Sequence, residues 1–245
     1  IDGVIRGMLQ AGVPVKKGMK IGDVDPRKDE SLVYLISDKS HKIGRGCGET
    51  IRTLLQRQFG IVVLAAGLSR RYGGNKLLEE RISEEPLYEV TLDKLSRFSD
   101  CIRVVVTRFD EIEAAAKQRG MVVVRNGVPE LGISHSLHLG LLACLERNPY
   151  LRGVLFMVCD QPYLRAETME RMLEEGLAHP QAIVCASHEG RRGNPVLWDT
   201  CYMSDLLSLT GDVGGRQIIK KYQENVRLVE CGEKELQDVD IRTES

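Results

Sequence analysis

The chain reads as an α/β protein, an open and mostly parallel sheet with helices on both faces, preceded by a small β-rich module over residues 1–58. Three observations predict this. From Ile61 onward, apolar runs of strand length alternate with amphipathic stretches of helix length, the rhythm of a sheet built from crossover units. The first run, Ile61 to Ala66, passes directly into a glycine-punctuated basic loop, Gly67 to Lys76, and sheets of this kind bind ligands beyond their strand carboxyl ends. Before residue 58 the runs are shorter, with turn signals at Gly12, Gly18, Gly22 and Pro26.

In the N-terminal block, Gly3 to Leu9, Gly12 to Gly18 and Ile21 to Val24 have a strand, turn, strand cadence, and Val33 to Ile36 is a further β-type run. This cadence resembles the barrel-sandwich modules that carry biotin or lipoate on a hairpin lysine. Ser37-Asp38-Lys39 lacks the rest of that motif, so Lys39 reads as a solvated surface lysine. The block is more similar to the C-terminal segment of accessory proteins of the selenium-dependent molybdenum hydroxylase system, through Ile1 to Gly7, Lys20 to Arg27 and Ser37 to Lys39. That resemblance implies residues upstream of Ile1 and a molybdenum hydroxylase apoenzyme as a partner. Thr50 to Gln58, with Ile51, Leu54 and Leu55 on one face, predicts a short helix leading into the second block.

In the second block the predicted strands are Ile61 to Ala66, Ile102 to Thr107, Met121 to Val124, Val154 to Val158, Ile183 to Ala186 and Val226 to Val229. Each is a short apolar run suited to burial in a parallel sheet. Helical patterns fall between them at Pro86 to Phe98, Glu111 to Arg119, Ser134 to Arg147, Ala166 to Leu177 and Gly215 to Gln223.

The loop after the first strand has the makings of a triphosphate cradle. Gly67, Gly73 and Gly74 let backbone amides approach a phosphate without a Cβ in the way, and Arg71 and Lys76 bring cationic donors. The spacing is neither Gly-x-x-x-x-Gly-Lys-Ser/Thr nor Gly-x-Gly-x-x-Gly, so P-loop and dinucleotide-binding readings fail. It resembles the signature of MobA-like nucleotidyltransferases, Leu-Ala-(Ala/Gly)-Gly-x-Ser-x-Arg-x-Gly-x-x-Lys, matched by Leu64, Ala65, Ala66, Gly67, Ser69, Arg71, Gly73 and Lys76.

Three further elements follow in that family's order. Val154 to Val158 delivers Cys159-Asp160-Gln161-Pro162 at its exit, and the resemblance makes Asp160 the Mg²⁺ carboxylate. Mg²⁺ suits such a position, being held by one or two carboxylates plus substrate phosphates. Gly132, Ser136, Leu137, Gly140 and Leu141 are similar to the family's Gly-x-x-x-Ser-Leu-x-x-Gly-Leu element. There Ser134 and Ser136 stand at a helix start, able to donate to a base or phosphate; Ser134 is equally suited to capping. Gly211-Asp212-Val213-Gly214-Gly215-Arg216 is similar to the Gly-Asp-x-Gly-x-Arg element, in which Asp212 is either a second metal carboxylate or a capping residue, and Arg216 either meets a phosphate or lies on a solvated face. Gly193-Asn194-Pro195-Val196-Leu197 resembles the Gly-His-Pro-Val-Leu segment that lines the pterin-side acceptor pocket, with Asn194 in place of His. An amide hydrogen-bonds a ring but does not titrate near neutrality. Gln237 to Ile241 is similar to the family's closing segment and reads as packing and capping.

The resemblance covers about residues 60 to 241 and implies a Rossmann-like fold of the nucleotide-diphospho-sugar transferase type. It implies transfer of CMP from CTP to the terminal phosphate of molybdopterin or molybdenum cofactor, because Leu-Ala-Ala-Gly and Cys-Asp-Gln-Pro are the family's cytidine forms. The same architecture serves sugar- and polyol-phosphate nucleotidyltransferases, and a non-catalytic nucleotide-binding scaffold is the reading from another class. A formal net charge of −1 points to neither nucleic acid nor an anionic membrane. Seven cysteines without a C-x-x-C pair or a Cys/His cluster indicate a reduced, cytoplasmic protein. His135 and His138, three residues apart, have no sequence neighbours with which to bind metal and read as structural or substrate-adjacent.

Overall fold

The computed structural model describes residues 2–27, 29, 42–47, 58–68, 72, 74–82 and 84–239. The chain divides into two compact units, Ile1–Arg52 and Thr53–Ser245. In the first, β1 (Val4–Met8) pairs antiparallel with β2 (Gly22–Asp25), with a bulge between Ile5 and Gly7. Glycines 12 and 18, at φ 91° and 87°, turn the connecting segment. Asp25 is buried and accepts two bonds from the Arg27 guanidinium, at 2.9 and 2.7 Å. A helical turn, α1, spans 42–47. The run Val33 to Ile36, Ser37 to Lys39 and all but the last residue of the helix expected over Thr50 to Gln58 lie outside the described residues.

The second unit is a seven-stranded sheet in the order β11-β9-β10-β8-β3-β6-β7. Its strands are β3 (Phe59–Ala65), β6 (Ile102–Thr107), β7 (Val122–Arg125), β8 (Gly153–Val158), β9 (Ile183–His188), β10 (Arg191–Asp199) and β11 (Val226–Glu230). All run parallel except β10, which is antiparallel to both β8 and β9. A two-residue ribbon, β4 (Arg81–Ile82) with β5 (Glu85–Pro86), stands apart.

Alternation along the central strand builds two cores. Phe59, Ile61, Val63 and Ala65 face one side of the sheet, where α3 (Leu87–Ser96), α4 (Asp110–Gln118) and α6 (Ala166–Ala178) bring Leu92, Ile112 and Met169. Val62 faces the other, covered by α5 (Ile133–Arg147), α7 (Met203–Leu207) and α8 (Arg216–Lys221) through Leu141, Leu206 and Ile218. Helices on both faces explain why the central strands are apolar throughout rather than alternating. Gly140 sets how closely α5 approaches β3, because a Cβ there would lie 2.3 Å from Val62 Cγ1.

Within the seven-stranded sheet, the strand absent from the sequence expectation is β10. Its first half, Arg191 to Pro195, is charged and contains a proline, and the register shifts between Gly193 and Val196. Proline is tolerated in a sheet at such a bulge. Glu189 and Gly190, at φ 48° and 78°, form the two-residue turn that joins β9 to β10. Among the described residues no helix is long and apolar enough to cross a membrane.

Candidate active site

The chain leaves β3 and β8 side by side. Leu64 is paired with Val158, and Cys159 N donates to Leu64 O at 3.2 Å, so the loop after β3 and the turn after β8 open at the same edge. A cleft of about 570 Å³ lies there. Its walls include Leu64, Ala66, Gly67 and Lys76 from the first motif, Cys159 and Asp160 from the second, and Gly132, Ser136 and Asp212 from the others. Four motifs far apart in sequence thus meet in one cavity. Ala65 faces the core instead. Ser69, Arg71 and Gly73 lie outside the described residues.

Lys76 opens the short helix α2 (Lys76–Glu79), and its Nζ stands 2.5 Å from Asp160 Oδ2. The two side chains retain only 11% and 20% of their exposure, so the pair is little screened by solvent. The other carboxylate oxygen, Asp160 Oδ1, is buried and has no hydrogen-bond partner among the described residues. A buried carboxylate oxygen without a donor is costly, and a cation in the cleft would satisfy it. Among the described residues no group of three or more His, Cys, Asp or Glu side chains is arranged to hold a metal. The arrangement therefore fits an ion that takes one carboxylate and draws its remaining ligands from phosphate and water, as Mg²⁺ does.

The facing wall is built where the loop before α5 meets the loop before α8. Gly132, at φ 84°, has no room for a Cβ, which would stand 2.4 Å from Gly211 C. Ser134 Oγ donates to Gly211 O at 2.7 Å, and Ile133 N donates to Asp212 Oδ1 at 3.4 Å. Ser134 thus ties one loop to the other and is not part of the cleft lining. Ser136 does line the cleft, its Oγ accepting from Asn126 Nδ2 at 2.9 Å. Asp212 is exposed and Arg216 stands exposed at the first residue of α8. Asn194 is exposed and Pro195 buried; with Val196 paired to Phe156, both lie toward the end of β8 that carries Asp160, but outside the cleft lining.

Several cleft residues escaped sequence reasoning. Tyr72 sits inside the first motif, nearly buried, with its OH donating to Glu80 Oε2 at 2.9 Å. Pro129 and Glu130 belong to a 3₁₀ turn leading into Gly132, and no local pattern marks them. The histidines are structural where contacts are defined: His138 Nε2 is 3.0 Å from Leu206 O. Burial pushes the Cys101, Cys144 and Cys159 thiols up to about 12, which makes them poor nucleophiles.

The sequence matches the MobA-like NTP transferase domain over residues 61–226. The chain belongs to this family. It is 26% identical to a molybdenum cofactor guanylyltransferase of Shewanella sediminis over 143 residues, 57% of this chain and 67% of that protein. It is 39% identical to YqeB of Escherichia coli over 57 residues, which is 23% of this chain but only 10% of YqeB. The chain thus spans a small fraction of YqeB's length. Among solved structures it is similar to Rv0371c of Mycobacterium tuberculosis, with a TM-score of 0.62 and 26% identity over 75% of this chain and 93% of that one. A manganese complex of Rv0371c is also similar, at 23% identity and a TM-score of 0.59, covering 71% of this chain and 88% of that one. The MobA-like core accounts for the sheet, the paired helix layers and the position of the cleft at the carboxyl ends of β3 and β8.

Proposed function

We propose that the chain transfers CMP from CTP to the terminal phosphate of molybdopterin or molybdenum cofactor, with release of pyrophosphate and dependence on Mg²⁺. The observation that carries this reading is the Lys76–Asp160 pair on the cleft floor, with Asp160 Oδ1 unsatisfied beside it. An oxygen of the acceptor phosphate forms the new bond to the α-phosphorus as the bond to the β-phosphate oxygen breaks. The acceptor is already ionised at neutral pH, so no side chain has to remove a proton. Positioning and charge neutralisation are then the protein's main contributions.

Gly67, Gly73, Gly74 and Ser69 would hold the triphosphate by backbone and hydroxyl donors. Lys76 would exchange its carboxylate partner for the α-phosphate, and Arg71 would meet the departing pyrophosphate. Asp160 would hold Mg²⁺, which when bound offsets the negative charge of the phosphates. Leu64, Ala66 and Ser136 would contact the nucleoside, while Asn194, Pro195 and Arg216 would form the acceptor side. Residues 59–245 would be the transferase domain and residues 1–58 an accessory module for a molybdenum hydroxylase apoenzyme, in a reduced cytoplasmic setting.

CTP is favoured by Ala65-Ala66-Gly67 and Cys159-Asp160-Gln161-Pro162, the cytidine forms of the two motifs. GTP is the second reading, supported by the guanylyltransferase activity named for the Shewanella relative. Pyrophosphate release with Mg²⁺ and molybdopterin, compared across CTP, GTP, ATP and UTP, separates them. CTP selectivity is the expected result; GTP selectivity would establish the second reading. CTP binding without release would point to a scaffold or to a sugar- or polyol-phosphate acceptor.

A further inference from the structure

The turn that carries Asp160 is held from behind at four successive carbonyls. Thr91 Oγ1, on α3, donates to Cys159 O at 3.1 Å. Val239 N donates to Asp160 O at 3.0 Å. Three residues along the same helix from Thr91, Lys94 Nζ donates to both Gln161 O, at 3.3 Å, and Pro162 O, at 2.5 Å. Cys159 and Asp160 line the cleft, whereas Thr91, Lys94 and Val239 do not. These bonds therefore reach the turn from residues outside the cleft lining. Residues spaced i, i+3 share one helix face, so α3 presents a hydroxyl and an ammonium together to a single turn.

The strap that supplies Val239 is itself anchored. Glu235, with a side chain only 4% exposed, accepts from Arg165 Nη2 at 2.7 Å and Thr168 Oγ1 at 2.6 Å. Gln161 Nε2 reaches Leu236 O at 3.4 Å. Buried backbone carbonyls need partners, but neutral donors would meet that need. A lysine bridging two adjacent carbonyls fixes the turn at the residues directly after Asp160.

We propose that Lys94 is a positioning residue for Asp160, holding the exit turn of β8 so that the Asp160 carboxylate stays placed at the cleft for a divalent cation. This rests on the reading of Asp160 as the metal carboxylate.

The test uses the full chain and Mn²⁺ alone, titrated by electron paramagnetic resonance into wild type, Asp160→Asn, Lys94→Met and Thr91→Val, with thermal melts and steady-state pyrophosphate release on the same preparations. Lys94→Met keeps the apolar stem and removes the donors. In a folded protein it is expected to weaken Mn²⁺ about 10- to 100-fold and to lower kcat to match, as loss of a partner that orients a metal ligand does, with nucleotide KM within about threefold. Thr91→Val is expected to weaken Mn²⁺ by about threefold or more. If Asp160→Asn loses the metal while folded Lys94→Met keeps wild-type affinity and kcat, the positioning role is overturned alone. If Asp160→Asn binds Mn²⁺ as wild type does, the metal reading falls and this inference with it. Should Lys94→Met fail to fold, Thr91→Val decides, and unchanged Mn²⁺ affinity there overturns the proposal.

Discussion

Two aspartates line the cleft, and their surroundings differ in a way that sorts their roles. Asp160 leaves a buried strand, is 20% exposed, pairs with Lys76 and keeps one oxygen buried without a donor among the described residues. Asp212 leaves a glycine-rich loop, is exposed, and accepts from the first N–H of α5. The first has an unmet electrostatic need that a ligand can fill. The second already has a use, since a carboxylate at a helix N-terminus satisfies an orphan donor and complements the helix dipole. The sequence motifs put Asp160 first and leave Asp212 open between metal and cap; burial and hydrogen bonding separate the two further.

The sharpest way to break this contrast is to remove the cation that faces Asp160. Lys76→Ala should lower turnover about a hundredfold or more, on the order of 3–4 kcal/mol of transition-state stabilisation, if the ammonium acts mainly on the reacting phosphate. Pyrophosphate release under saturating nucleotide reads it, and activity within about threefold of wild type would remove Lys76 from the chemistry.

Acid should weaken the strap that lies behind Asp160. Burial alone would raise the Glu235 carboxyl, yet bonds from Arg165, Thr168 and the Gly232 and Arg165 amides hold it down from 4.5 to about 2. A carboxyl with a depressed folded value stabilises above its unfolded value and loses that contribution as pH falls through the folded one. The loss should therefore develop between about pH 4.5 and 2 and amount to roughly 3 kcal/mol. Glu235→Gln should flatten that part of a stability-against-pH curve from chemical denaturation; an unchanged curve would show that the strap does not depend on this charge.

Much of the Asp160 side was legible in sequence, because buried parallel strands are written as unbroken apolar runs. Ile102 to Thr107 was located residue for residue, and β3 and β8 to within two residues. What supports the turn was not legible. Lys94 and Thr91 look like an ordinary polar helix face until folding places Cys159 to Pro162 against them, 67 and 68 residues away. Val239 falls in a segment read only as packing and capping, and its bond to Asp160 O is one form of that role. On the other side, α7 is five residues long, too short for a helical period to show. The clasp between Gly132 and Gly211 depends on backbone contact, which no side-chain pattern encodes.

That clasp offers the next test. Gly132→Ala places a methyl 2.4 Å from Gly211 C at a φ of 84°, an angle that favours glycine. Overpacking and strain together should cost about 1–3 kcal/mol and separate the two loops. A thermal melt should show the loss, while Mn²⁺ affinity, assigned to the opposite wall, should stay within about threefold. Loss of metal binding in this variant would mean that the two walls act as one.

The smallest effect is expected at Asp212 itself. Asp212→Asn keeps an acceptor for Ile133 N and removes the charge, so only the dipole interaction is lost, about 0.3–1 kcal/mol of stability. If Asp212 only caps, pyrophosphate release should fall by less than about fivefold. A fall comparable to that of Lys76→Ala, with folding intact, would make Asp212 a second metal carboxylate despite its exposure and its helix partner. In that event nucleotide phosphates would have to draw it off the α5 terminus, and the nucleotide affinity, with the rise of the melt that follows from it, would be lower by the cost of the lost cap.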